Sequence, residues 1–242
     1  MFTKILLAAL GYVYHYRIRL AKALVFPFIV LWALTLFTVT QPSPGASFVI
    51  QVLYLFFQMS IIVSTHRIIL LGEDSVPVFG AMVWSRDVLR AVRYPIYFGL
   101  LSIPVFFFVG IIVALVAPPN APVGSGAPPQ ILSVLLIVLT IALVITLMRF
   151  SLVFPASAVN DEHGLALSWK QTRHNKKLMF NAVILVPFVC GLPFILLNFI
   201  DGAIWLTTPF SLIVSIVGVA SLSVAYSTIT NRQMGMVKPI EQ

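Results

Sequence analysis

Histidine, cysteine and paired acids are the residues of this chain that could bind a metal or move a proton, and their spacing supports neither role. The four histidines, His15, His66, His163 and His174, include no pair at a spacing that would set two imidazoles on one ion. Cys190 is the one cysteine and sits in an apolar run, so neither an intramolecular disulfide nor a thiolate metal set is possible. Asp161-Glu162-His163-Gly164 is the densest acidic cluster. Adjacent residues do not face one point, so a metal there would need ligands from elsewhere, and a solvated turn before a helix is the commoner use. Gly72-Glu73-Asp74-Ser75 has the same character. Its acids could pair with Arg86 or Arg90, or could simply open a helix. The chain has no G-x-S-x-G nucleophile turn and no G-x-x-x-x-G-K-[ST] phosphate loop. No catalytic, cofactor-binding or metal-ligating residue is assigned, and the chain is expected not to be an enzyme.

The elements around these residues are built for lipid. Hydrophobic residues are 60% of the chain and charged residues 9%, against about 25% charged in a soluble domain. Too few charges are present to coat a water-facing surface. Residues 23–65, 94–148 and 178–231 are almost uncharged, the last interrupted only by Asp201. About 20 apolar residues cross the roughly 30 Å hydrocarbon layer, so each stretch is long enough for two spans. Pro- and Gly-rich breaks at 41–45 and 118–129, and Asp201-Gly202, divide them. The result is an all-α, polytopic membrane protein with six spans at 23–40, 47–65, 95–117, 131–148, 178–200 and 209–230.

All fifteen lysines and arginines fall at the termini or in the connectors 66–93 and 149–177. The other three connectors carry no basic residue. The positive-inside rule then places both termini in the cytoplasm. The net charge of +8 reads as basic helix ends facing anionic lipid, not as a nucleic-acid surface. Residues 1–22 are read as a cytoplasmic interfacial segment, 23–230 as the six-span membrane domain and 231–242 as a cytoplasmic tail. The short apolar run in 1–10 lacks an A-x-A-like cleavage site and is expected to be retained.

The two basic connectors resemble each other. They span 28 and 29 residues; each opens on an arginine, Arg67 or Arg149, and each carries a tryptophan, Trp84 or Trp169. Arg86, Arg90 and Arg93 lie on one helical face, and Lys170, Arg173 and Lys177 form a similar stripe. Both are expected to be short amphipathic helices under the membrane, in a weak repeat of two-span hairpins. The six stripe residues are the expected contacts to anionic lipid or to a protein partner, which includes a second copy of the chain.

Polar groups inside spans are costly in lipid. Gln51 and Gln58 share a face of the second span and could line a polar path, although interhelical hydrogen bonding is the commoner use. Asn181 and Asn198 are the other candidates. Pro187 and Pro193 bracket Gly191, which makes the fifth span the one expected to bend. Ser211, Ser215, Ser223 and Ser227 share a face of the sixth, near Gly218, Ala220 and Ala225, and that face is expected to pack closely.

Arg149-Phe-Ser-Leu-Val-Phe-Pro155, then Gly164-Leu-Ala-Leu-Ser168-Trp169 and Arg173, resembles the membrane domain attached to some bacterial glycerophosphodiester phosphodiesterases and related standalone six-helix inner-membrane proteins. The His66-Arg67-Ile-Ile-Leu-Leu-Gly72-Glu73 segment looks like the matching element of the first half. The resemblance implies a bacterial inner-membrane protein and supplies no catalytic residue, since the phosphodiesterase barrel is not part of the matched region. The expected function is a non-enzymatic scaffold or accessory subunit; the alternative is a transporter or lipid-handling protein built from repeated hairpins.

Overall fold

The computed structural model describes residues 1–39, 43–79, 85–116, 130–161, 164–197 and 204–231. Every regular element among them is helical. In chain order these are α1 (Phe2–His15), α2 (Arg17–Val39), α3 (Pro44–Leu71), a 3₁₀ turn (Glu73–Ser75), α4 (Arg86–Val116) and α5 (Gln130–Phe150). Then follow α6 (Val153–Ala158), α7 (Leu165–His174), α8 (Lys176–Phe180), a π turn (Asn181–Leu185), α9 (Val186–Leu197) and α10 (Ile204–Thr230). Among the described residues, five helical stretches are long and apolar enough to cross a membrane: Arg17–Thr38, Pro44–Leu71, Leu136–Ala158, Lys176–Phe194 and Pro209–Thr230.

Two boundaries differ from the sequence expectation. Helix α3 starts at the Ser43 cap, whose Oγ accepts from Ala46 N–H at 3.4 Å with Pro44 in the first turn. It does not stop at Thr65 but runs 28 residues to Gly72, whose φ of +95° suits only glycine. It continues because His66 and Arg67 find partners inside the bundle rather than in water. The stripe Arg86, Arg90 and Arg93 is likewise no separate helix: it forms the first turns of the 31-residue α4. The second connector folds into α6 and the distinct ten-residue α7. The two connectors are therefore built differently, and Trp84, one half of the expected tryptophan pair, lies outside the described residues.

Helix α1 packs rather than frays. Ala9 is fully buried against Ile69 of α3 and Ala220 of α10, and Ile5 joins the core formed with Met148, Met179 and Tyr226. The small side chains at 9 and 220 let the helices approach closely. The chain breaks at Tyr16 (ψ 12°), and α2 sets off from there.

Helices α8 and α9 are joined without a break by the π turn, and Pro187 explains the register. Val186 N–H reaches Asn181 O, an i to i−5 bond. The next donor in that register would be residue 187, and proline has none. Its partner, the Ala182 carbonyl, is instead reached by the Ser221 hydroxyl of α10 at 2.6 Å. The Pro187 ring stands against Gly218, where a Cβ would lie 3.2 Å from the proline Cγ. Of the small-residue face of α10, Ser223, Ser227, Ala220 and Ala225 are buried and Ser215 half-buried, whereas Ser211 is exposed.

Candidate functional site

The basic ends of the helices meet one another. Arg19, in the first turn of α2, donates to the carbonyl of Glu73 at 2.9 Å and to that of Val76, across the turn after α3. Arg67, near the C-terminal end of α3, joins three further elements. Its Nε donates to Ser75 O at 3.1 Å, and its Nη1 to Asp87 Oδ2 of α4 at 2.7 Å and to Ala158 O of α6 at 3.0 Å. Both ionic side chains are largely shielded from solvent, at 16% and 18% exposure. The carbonyls at the ends of α6 and of the connector have no helical donor left, and a guanidinium with five donors fits that need. Glu73 and Asp74 are not seen paired with Arg86 or Arg90; the pairing acid is Asp87, at 2.7 Å from Arg67 and 4.0 Å from Arg90.

Beside this junction lies a half-open cleft of about 540 Å³, lined by Arg90, Arg93, Tyr94, Ser157, Asn160 and Asp161. Arg90 Nη1 donates to Asn160 Oδ1 at 2.6 Å. Asn160 can serve there because it holds a positive φ of 58° at the end of α6, a conformation asparagine tolerates better than most residues. Arg93 donates to the Tyr94 hydroxyl at 2.9 Å, its guanidinium 4.9 Å from the ring centroid. Asp161, the one lining carboxylate among the described residues, accepts the hydroxyl of the fully buried Tyr226 at 2.5 Å. Among the described residues the lining thus sets two guanidiniums against one carboxylate. Its amide, hydroxyl and arginine donors suit a phosphate or carboxylate.

The other expected contacts are placed differently. Arg86 is exposed beside the cleft without lining it. Lys170 and Arg173 on α7 and Lys177 on α8 are exposed, and none of the three lines a main cavity. Their helix is fixed from its opposite face: the buried Ser168 and Thr172 hydroxyls donate to Arg149 O at 2.8 and 3.1 Å. The two stripes do not share one cavity. Gln51 is exposed, whereas Gln58 donates to Ser215 of α10 at 3.4 Å. The small cavity at Gln58, about 140 Å³, is lined by neither Gln51 nor α9 among the described residues. Asn181 stands half-buried in the π turn, and Asn198 lies outside the described residues, as do Glu162 and His163.

Spacing gave no sign of the pair His66 and Ser223, both fully buried, with Nδ1 2.7 Å from Oγ. Ser223 has one proton and its Oγ also stands 3.0 Å from Val219 O. One proton faces two neighbours, so which of Nδ1 and Oγ donates follows the imidazole tautomer. Neither residue lines a main cavity among the described residues. The pair joins α3 to α10. Groups of three or more histidine, cysteine or acidic side chains able to hold a metal are absent among the described residues. Comparison with protein-family models, with curated proteins and with solved structures finds no match to this chain.

Proposed function

We propose that the protein is a six-span bacterial inner-membrane scaffold or accessory subunit, not an enzyme, whose basic end faces the cytoplasm and holds anionic lipid headgroups. The sixth span in this reading is α4, which carries no charged residue from Tyr94 to its end at Val116. The observation that carries the reading is the cleft of Arg90, Arg93 and Asn160, whose described lining holds two guanidiniums and one carboxylate, beside the Arg67–Asp87 junction. Basic groups at that level are the ones that meet an anionic leaflet. Transport has less support: Gln58 is engaged with α10, and among the described residues the cavity at Gln58 is lined neither by Gln51 nor by Pro187–Pro193.

Each cation near an anionic leaflet contributes about 1 kcal/mol, so neutralising two should weaken headgroup binding about 25-fold. Arg90→Gln with Arg93→Gln is expected to lower the anionic lipid retained through purification in mild detergent, counted by mass spectrometry. Unchanged lipid content would sink the headgroup reading and point to an acidic protein segment as the occupant.

A further inference from the structure

A second groove lies away from this cleft, between α5 and the α8–π turn, with a volume of about 550 Å³. Its wall is apolar: Ile141, Val144 and Ile145 of α5 on one side, Phe180 and Ile184 on the other. The α5 residues recur at helical spacing and so form one stripe along the axis. Those three and Phe180 are exposed despite their size. One end of the groove is cationic, lined by Arg149 at the end of α5 and Lys176 at the start of α8. No carboxylate lines it among the described residues.

Arg149 is held in place. Its carbonyl takes the Ser168 and Thr172 hydroxyls, and its guanidinium stands 5.5 Å from the centroid of the Trp169 ring. One of its nitrogens, Nη1, is buried and has no hydrogen-bond partner among the described residues. A buried guanidinium nitrogen without an acceptor is costly, and arginine's fork matches a phosphate better than any other common group. An apolar channel ending in two cations with a spare donor has the chemistry of one amphiphile: an acyl chain carrying a phosphate.

We infer that the α5–α8 groove is a binding site for one anionic phospholipid, with an acyl chain along Ile141, Val144, Ile145 and Ile184 and the phosphate on Arg149 and Lys176. The site rests on the membrane placement of these helices and not on the Arg90–Arg93 cleft. Ile184 lies within the π turn and Phe180 directly before it, and π turns recur at functional sites.

The full chain, delipidated in mild detergent, is titrated with dioleoylphosphatidylglycerol or dioleoylphosphatidylcholine, and the bound molecules are counted by native mass spectrometry. The site predicts one phosphatidylglycerol per chain that is lost, about 25-fold in affinity, from Arg149→Gln with Lys176→Gln. Lys176→Gln alone, at an exposed position, should cost about fivefold without disturbing the fold. Val144→Trp, which fills the groove and keeps both charges, should remove the same molecule, and glycerol phosphate without acyl chains should not compete for it. Retention of that lipid by the charge variants or by Val144→Trp would overturn the inference, as would displacement by glycerol phosphate. Loss confined to Arg90→Gln with Arg93→Gln would also overturn it while leaving the cleft reading intact. The reverse pattern would uphold the groove and remove the cleft.

Discussion

Arg67→Ala is expected to be strongly destabilising, costing about 2–3 kcal/mol, at or just below the range for breaking a fully buried ion pair because this one is part-buried. The side chain bonds to Ser75 O, Asp87 and Ala158 O, so its loss releases the connector, α4 and α6 from α3 together. Asp87 is mostly shielded and would keep only Arg90, at 4.0 Å. Against a total stability of about 5–15 kcal/mol, the change should lower the thermal midpoint in detergent by several degrees. Asp87→Ala should cost less, because Arg67 keeps its two carbonyls. The double variant should fall well short of the sum of the singles, as expected for residues in one network. Additive losses would show that Arg67 and Asp87 do not act through each other.

Gly218→Leu carries an expected effect of similar size, about 2–3 kcal/mol, the upper part of the range for overpacking a filled interior. The Pro187 ring cannot rotate away from a side chain placed 3.2 Å from its Cγ. Gly218→Ala is the informative control. A single methyl needs Pro187 to yield by a few tenths of an ångström, while a helical glycine replaced by alanine gains about 1 kcal/mol in propensity. The two should nearly cancel, leaving alanine close to wild type and leucine far below it. Thermal unfolding of the three proteins side by side checks this. A leucine variant as stable as wild type would mean that α9 and α10 are not held at this distance.

Several of these contacts were legible in the residue pattern and several were not, for physical reasons. Charge sorting alone indicated helices gathered with their basic ends together, because a charge in lipid is too costly to be placed by accident. The serine and small-residue face of α10 announced its packing through helical spacing, and Ser215 and Ser223 do bond across helices. Pro187 marked the irregular fifth span, where the π turn ends. The π register, however, depends on Ser221, 39 residues away, taking the carbonyl that proline leaves behind. The His66–Ser223 pair spans 157 positions, a separation on which spacing within one helix is silent. Arg67 looked like a topology signal because an arginine past an apolar run usually is one. Its carbonyl partners are backbone groups, which every sequence contains, so only the folded arrangement distinguishes a fastening arginine from a solvated one. The first stripe was mistaken for a separate helix for a related reason: no breaker separates Arg93 from the apolar residues that follow, and the helix simply continues.

The central claim is that the basic end, with its Arg90–Arg93 cleft, faces the cytoplasm. Single cysteines test it most directly, introduced into a Cys190→Ala background at Gly45, exposed near the start of α3 with open space around its Cα, and at Lys170, exposed on α7. A membrane-impermeant maleimide applied to intact cells should label Gly45→Cys and should label Lys170→Cys only after permeabilisation. Labelling of Lys170→Cys in intact cells, with Gly45→Cys protected, would contradict the orientation and with it the proposed role of the basic cleft.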